Sequence, residues 1–258
     1  VIYVISRISG EGKDRRKVKG DYYLSEREEE DLRYLAEMNK PVILILNAGG
    51  PVELTDILEQ TDNIKGILNI SQLGQEGGDA LADVLLGKEV PGGKLTTTWA
   101  RRYEDYPASE EYGYLNGNLE KEKYKEGIYV GYRYFDSFDK KVMFPFGFGL
   151  SYTTFEMKCC SINMEESKIR AEVQVTNTGN EYAGKEVVQI YVTLPQTELE
   201  KEYKRLAGFA KTRLLKPGET QTLTVEIPQK QLASFNEETH AWIVEKGKYG
   251  ILVGNSSD

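Results

Sequence analysis

Cysteine and histidine, the residues behind many metal and nucleophilic sites, are nearly missing from this chain. Its 258 residues hold two cysteines and one histidine. The cysteines are adjacent, Cys159-Cys160, and strand neighbours point to opposite faces, so a disulfide between them would be strained. They read as reduced and dispensable, two small hydrophobes near a strand start. Two cysteines and His240 do not make a four-ligand zinc set. No metal and no cofactor is expected, and His240 reads as a solvated loop residue. Also missing is any apolar run near the roughly 18 residues of a membrane span, so no membrane partner is expected. Basic residues are outnumbered, 33 Lys and Arg against 41 Asp and Glu, and no basic cluster is interleaved with aromatics. That balance argues against nucleic acid and anionic lipid, and leaves a neutral substrate or a protein partner. An initiator Met and a signal-like n-region are absent too. Val1 already stands in a strand pattern, so the N-terminus reads as a cut and carries no targeting information.

What is present divides in two. Val1-Ile2-Tyr3-Val4-Ile5 is strand-like. Ser25-Glu26-Arg27-Glu28 is a capping-box pattern, and the helix it opens places Leu32, Leu35, Ala36 and Met38 on one face before Pro41 stops it. Val42-Ile43-Leu44-Ile45-Leu46 has the composition of a strand covered on both faces. A short helix over 52–60, a buried strand over 64–70 and a helix over 76–86 follow, with Gly87 placed for a C-cap. This βα traffic predicts a layered α/β sandwich with a mostly parallel sheet over residues 1–108. Beyond Ser151 the period becomes two: Ile169, Ala171, Val173 and Val175 alternate with polar residues, as do Leu223, Val225 and Ile227. Further strands at 187–192 and 249–253 complete an antiparallel, immunoglobulin-like all-β sandwich over 152–258. Residues 109–151, rich in Tyr, Gly and charge, read as an irregular strap over the α/β layer. Its Tyr129, Tyr132, Arg133, Tyr134 and Phe135 read as interdomain packing.

One carboxylate stands out. Glu11 lies between Gly10 and Gly12, just past the first strand, and open α/β sheets gather ligands beyond the carboxyl ends of their strands. Asn47-Ala48-Gly49-Gly50 and Gln72-Leu73-Gly74-Gln75-Glu76-Gly77-Gly78 leave other strands and should face the same rim. A phosphate cradle fits poorly. The third glycine of a dinucleotide fingerprint is missing, Gly-Lys-Ser/Thr does not occur, and Glu11 and Glu76 would repel an anion. Glu76 has a simpler role available, since a carboxylate opening a helix is stabilised by the helix dipole. From the residues alone, Glu11 is either a solvated turn charge or a functional group on that rim.

The segment Ser6-Arg7-Ile8-Ser9-Gly10-Glu11-Gly12-Lys13-Asp14-Arg15 resembles the acid/base loop of glycoside hydrolase family 3, the β-glucosidase and β-xylosidase group. The segments around Gly74-Gln75-Glu76-Gly77-Gly78, Tyr124 to Asp136 and Phe144 to Tyr152 are similar to that family in the same order. The resemblance implies an α/β sandwich followed by a fibronectin type III-like domain. It implies that Glu11 is the general acid/base of a retaining β-glycosidase, acting on a β-linked glucoside or oligosaccharide. Arg7, Asp14, Arg15, Gln75 and Glu76 would support the loop or lie near substrate, Asp14 and Arg15 by pairing with each other or with neighbours. The nucleophile, an Asp in a Ser-Asp-Trp context, is not found, and its (β/α)8 barrel of the same protein would lie outside the chain. The chain alone is then expected to be inactive. The rival reading is a non-catalytic binding or scaffold piece. An unpaired sheet edge beside Val1 to Ile5 would favour a homo-oligomer.

Overall fold

The computed structural model of the chain describes residues 1–8, 14–112, 120–121 and 123–258. Two compact units emerge, residues 1–86 with 99–125, and residues 87–98 with 126–258. Residues 109–125 thus belong to the first unit and 126–151 to the second.

The first unit is built on a parallel sheet ordered β1 (Ile2–Ser6), β2 (Val42–Asn47), β3 (Ile64–Asn69). Helices α1 (Glu26–Glu37), α2 (Thr55–Gln60) and α3 (Gly77–Leu85) alternate with the strands. The central strand carries the continuous apolar run, and Val42, Leu44, Ile45 and Leu46 are buried. The capping box that opens α1 forms as its sequence requires. Ser25 Oγ accepts from the Glu28 amide at 3.2 Å, and Glu28 Oε2 accepts from the Ser25 amide at 2.7 Å. Of the expected apolar face of α1, Leu32 is fully buried and Met38 is exposed, because the helix ends at Glu37. Gly87 follows α3 with φ +71°, the left-handed conformation that a C-terminal glycine supplies without strain. A two-residue strand, β4 (Trp99–Ala100), is buried on both residues.

The second unit holds a helix, α4 (Tyr132–Ser137), a short strand, β5 (Val142–Phe144), and two three-stranded antiparallel sheets. One sheet runs β6 (Phe155–Met164), β7 (Lys168–Asn177), β10 (Thr220–Pro228), with β7 in the middle. The other runs β9 (Lys204–Lys211), β8 (Val187–Thr193), β13 (Gly250–Gly254), with β8 in the middle. Strands β11 (Ser234–Asn236) and β12 (Ala241–Ile243) form a separate hairpin. The period-two residues of β7 and β10 meet Val188, Ile190 and Val192 of β8 in one core.

Strand β8 is buried on its other face as well, through Gln189 and Tyr191. Tyr191 meets Tyr132 edge-on at 5.8 Å, and Tyr132 stacks on Phe146 at 4.9 Å. Gln189 donates to the Gly147 and Asn255 carbonyls at 3.1 and 2.7 Å. The Leu206 amide donates to Tyr132 Oη at 2.8 Å, which seats α4 on β9. From residue 126 onward the aromatic strap therefore covers the β8 sheet from outside. Tyr132 and Phe146 of this segment are packed within the second unit. Cys159 and Cys160 are free and exposed, beside a register shift in the β6–β7 ladder. They form no disulfide, as their adjacency predicted, and they lie in the middle of β6, where the expectation was near a strand start. His240, with φ +50°, lies in the exposed turn between β11 and β12. No helix among the described residues is long and apolar enough to cross a membrane.

Among the described residues β1 pairs with β2 alone, and its Ile2 and Val4 are 55% and 52% exposed. An edge strand with bare apolar side chains is a template for further pairing. The isolated chain should therefore gain mass with concentration in sedimentation runs, and Val4→Lys should suppress the gain. A constant monomer mass over the same range would contradict this.

Candidate functional site

The rim of the first sheet is organised around the loop that leaves β1. Glu11 itself, with the rest of residues 9–13, lies outside the described residues. What is described is how the loop's two ends are held.

At the first end, the Arg7 amide donates to the Asn47 carbonyl at 3.0 Å, extending the β1–β2 ladder by one residue. The Arg7 side chain is buried, and all five of its N–H donors are used. Nε donates to the Asp21 carbonyl at 2.7 Å, and Nη1 to the Ser6 carbonyl at 2.9 Å and Glu28 Oε1 at 2.8 Å. Nη2 donates to Glu28 Oε2 at 2.7 Å and the Tyr23 carbonyl at 3.2 Å. The Arg7–Glu28 pair is thus bidentate, and the same carboxylate closes the capping box of α1. Burial alone would push the Glu28 carboxyl up. The Arg7 guanidinium and the Ser25 amide outweigh it and hold the carboxyl below its ordinary value.

At the other end, Arg15 turns back to the same place. Its Nη2 donates to the Asp21 carbonyl at 2.5 Å and its Nε to Asp21 Oδ1 at 2.9 Å. Nη1 reaches the Pro51 carbonyl at 2.6 Å, in the loop that leaves β2. The guanidinium also lies 5.9 Å from the centre of the Tyr22 ring. The Asp21 carboxylate takes the Arg16 amide at 2.7 Å. Burial raises the Asp21 carboxyl, and the Arg16 amide and Arg15 bring it below its ordinary value.

Asp14 pairs with neither arginine in this arrangement; its Oδ1 accepts from Tyr112 Oη at 3.4 Å. Gln75 and Glu76 stand apart from the clamp and are exposed. Glu76 is the N-cap residue of α3, with no side-chain cap hydrogen bond, and the Gly77 amide donates to the Gly74 carbonyl at 3.0 Å. The structure therefore joins Arg7 with Arg15 and leaves Asp14, Gln75 and Glu76 outside their network. Asp21, the residue that joins them, was missed by sequence reasoning. Half of its work is done by a backbone carbonyl, which no residue type announces. Glu28 was read for its capping role alone. Among the described residues no cluster of His, Cys, Asp and Glu could hold a metal ion.

Both carboxyls titrate lower in the folded chain than in the unfolded one. The stability they contribute is full above about pH 5 and is withdrawn as pH falls through their folded-state values. Removing one partner of a buried pair strands the other, at a cost of about 3–5 kcal/mol. Glu28→Gln should lose about 3 kcal/mol in denaturant unfolding at pH 7. It should also flatten the loss of stability between about pH 5 and pH 3 without abolishing it, since Asp21 still titrates. An unchanged midpoint at pH 7 would refute the pairing.

Comparison with known proteins bears on what this rim belongs to. The glycosyl hydrolase family 3 C-terminal domain matches residues 1–132, and the fibronectin type III-like domain matches residues 186–257. Beta-glucosidase A of Butyrivibrio fibrisolvens is 40% identical over 299 residues, covering 99% of this chain and 35% of that protein. Among solved structures, beta-glucosidase 3B from Thermotoga neapolitana in complex with alpha-D-glucose superposes with a TM-score of 0.91 at 45% identity. It matches 99% of this chain and 36% of its own. A beta-glucosidase from Paenibacillus barengoltzii superposes with a TM-score of 0.94 at 38% identity, over 99% of this chain and 29% of its own. The chain spans about a third of the length of these proteins. Its matched domains, their order and the fold they describe make the chain a member of glycosyl hydrolase family 3, corresponding to the C-terminal portion of its β-glucosidases.

Proposed function

We propose that this chain is the non-barrel portion of a retaining β-glucosidase-like enzyme and that Glu11 is its general acid/base. The barrel of the same polypeptide would carry the nucleophile and read the sugar. In the first step the nucleophilic carboxylate attacks the anomeric carbon while Glu11 gives its proton to the glycosidic oxygen, and the alcohol leaves. In the second, the Glu11 carboxylate takes a proton from the water that attacks the glycosyl-enzyme. The observation that carries this reading is the pair of arginines on either side of Glu11. Both donate to one carbonyl, at the carboxyl end of a parallel strand. A loop whose ends are tied this firmly is built to present something, and an acid must be presented accurately to protonate a leaving group. Glu11 would need its pKa raised from about 4.3 towards 6, which burial against the barrel and a neighbouring carboxylate both favour.

Glu11→Gln in the complete enzyme tests this. Acid/base help is worth about 10² to 10⁴ in rate, and the loss should be of that size on cellobiose. On a dinitrophenyl glucoside, whose leaving group needs little protonation, glycosylation should be nearly spared. Azide should then accelerate turnover by replacing the water that Glu11 no longer activates. Equal losses on both substrates without azide rescue would favour the rival reading, a binding or scaffold role for this rim.

A further inference from the structure

We propose that Asp21 is a positioning residue for the acid/base step, an inference that rests on the reading of Glu11 above. Arg7 and Arg15 flank residues 8–14 in the sequence, and Asp21 is the point on which both arginines converge. Its carbonyl accepts from Arg7 at 2.7 Å and from Arg15 at 2.5 Å. Its carboxylate accepts from Arg15 Nε at 2.9 Å and from the Arg16 amide at 2.7 Å.

Asp21 is itself held in a tight turn. Its amide donates to the Val18 carbonyl at 3.2 Å, and the Gly20 amide to the Tyr23 carbonyl at 3.0 Å. Gly20 supplies the φ of +80° that this turn needs. The two ends of the loop differ in what else secures them. Arg7 has the Glu28 carboxylate, and survives as part of the α1 cap without Asp21. Arg15 has the Pro51 and Asp21 carbonyls, but the carboxylate that neutralises it is that of Asp21. Truncating the Asp21 side chain therefore loosens the returning end of the loop and leaves the sheet, α1 and the Arg7 pair in place.

The kinetic consequence is specific. A loop end released by about 1 Å misplaces the acid, a displacement that typically costs about 10²-fold. The cost falls on the proton transfer and hence depends on the leaving group. A residue that only stabilised the fold would lower every substrate's rate in proportion to the folded fraction, leaving the ratio between substrates untouched.

The test compares variants of the complete enzyme by the ratio of kcat/KM on dinitrophenyl glucoside to kcat/KM on cellobiose. Glu11→Gln sets the upper limit. Asp21→Ala should raise the ratio about tenfold or more, with partial azide rescue. Both variants keep the main-chain carbonyl; Asp21→Asn also keeps one side-chain acceptor and should raise the ratio less, and it serves where the Ala variant folds poorly. Ile190→Ala, a buried change in the second unit, should lower thermal stability with the ratio unchanged. If Glu11→Gln raises the ratio while neither Asp21 variant does, Asp21 is a structural residue and the inference is overturned with the acid/base reading intact. If Glu11→Gln leaves the ratio unchanged, the acid/base reading fails and takes the inference with it.

Discussion

Two guanidinium groups share one carbonyl oxygen at the rim of the first unit, and the rest of the candidate site depends on that contact. Two like charges brought together on one acceptor repel each other. The arrangement holds because each has a carboxylate of its own, Glu28 for Arg7 and Asp21 for Arg15. Both carboxyls sit below their ordinary pKa, as expected if each is kept ionised by the cation facing it. The cluster is balanced in charge and satisfied in hydrogen bonds, the condition under which buried ions are tolerated.

The same contacts link the levels of the fold. Glu28 is at once the second half of the α1 capping box and the partner of Arg7, so the start of the helix and the end of β1 are fixed by one side chain. Arg15 ties the returning loop to the Pro51 carbonyl, and so to the loop after β2. In the second unit, by contrast, the organising contact is apolar. Strand β8 is buried on both faces, against the sandwich core on one and against Tyr132 and Phe146 on the other.

Local and periodic features were legible in the sequence. The capping box could be read because its two residues are three apart and need no distant partner. The alternation in β7 and β10 could be read because a half-buried strand must show it. The run of β2 was read as covered on both faces, and it is the central strand of the parallel sheet. Long-range choices were not legible. That Gln189 and Tyr191 on the outer face of β8 find partners in residues 126–151 is one such choice. The Asp21 clamp joins side chains to a carbonyl, and a carbonyl belongs to every residue alike. That the cysteines are free was legible from their adjacency, whereas their exposure at a register shift is set by the neighbouring strand.

The proton proposed for Glu11 would be read directly by the pH dependence of the complete enzyme. On a substrate with an unactivated leaving group, kcat/KM should fall on the alkaline side as Glu11 loses its proton. The residual activity of Glu11→Gln should be flat across that range, because the amide has no proton to lose. An alkaline limb at the same midpoint in the variant would contradict the account.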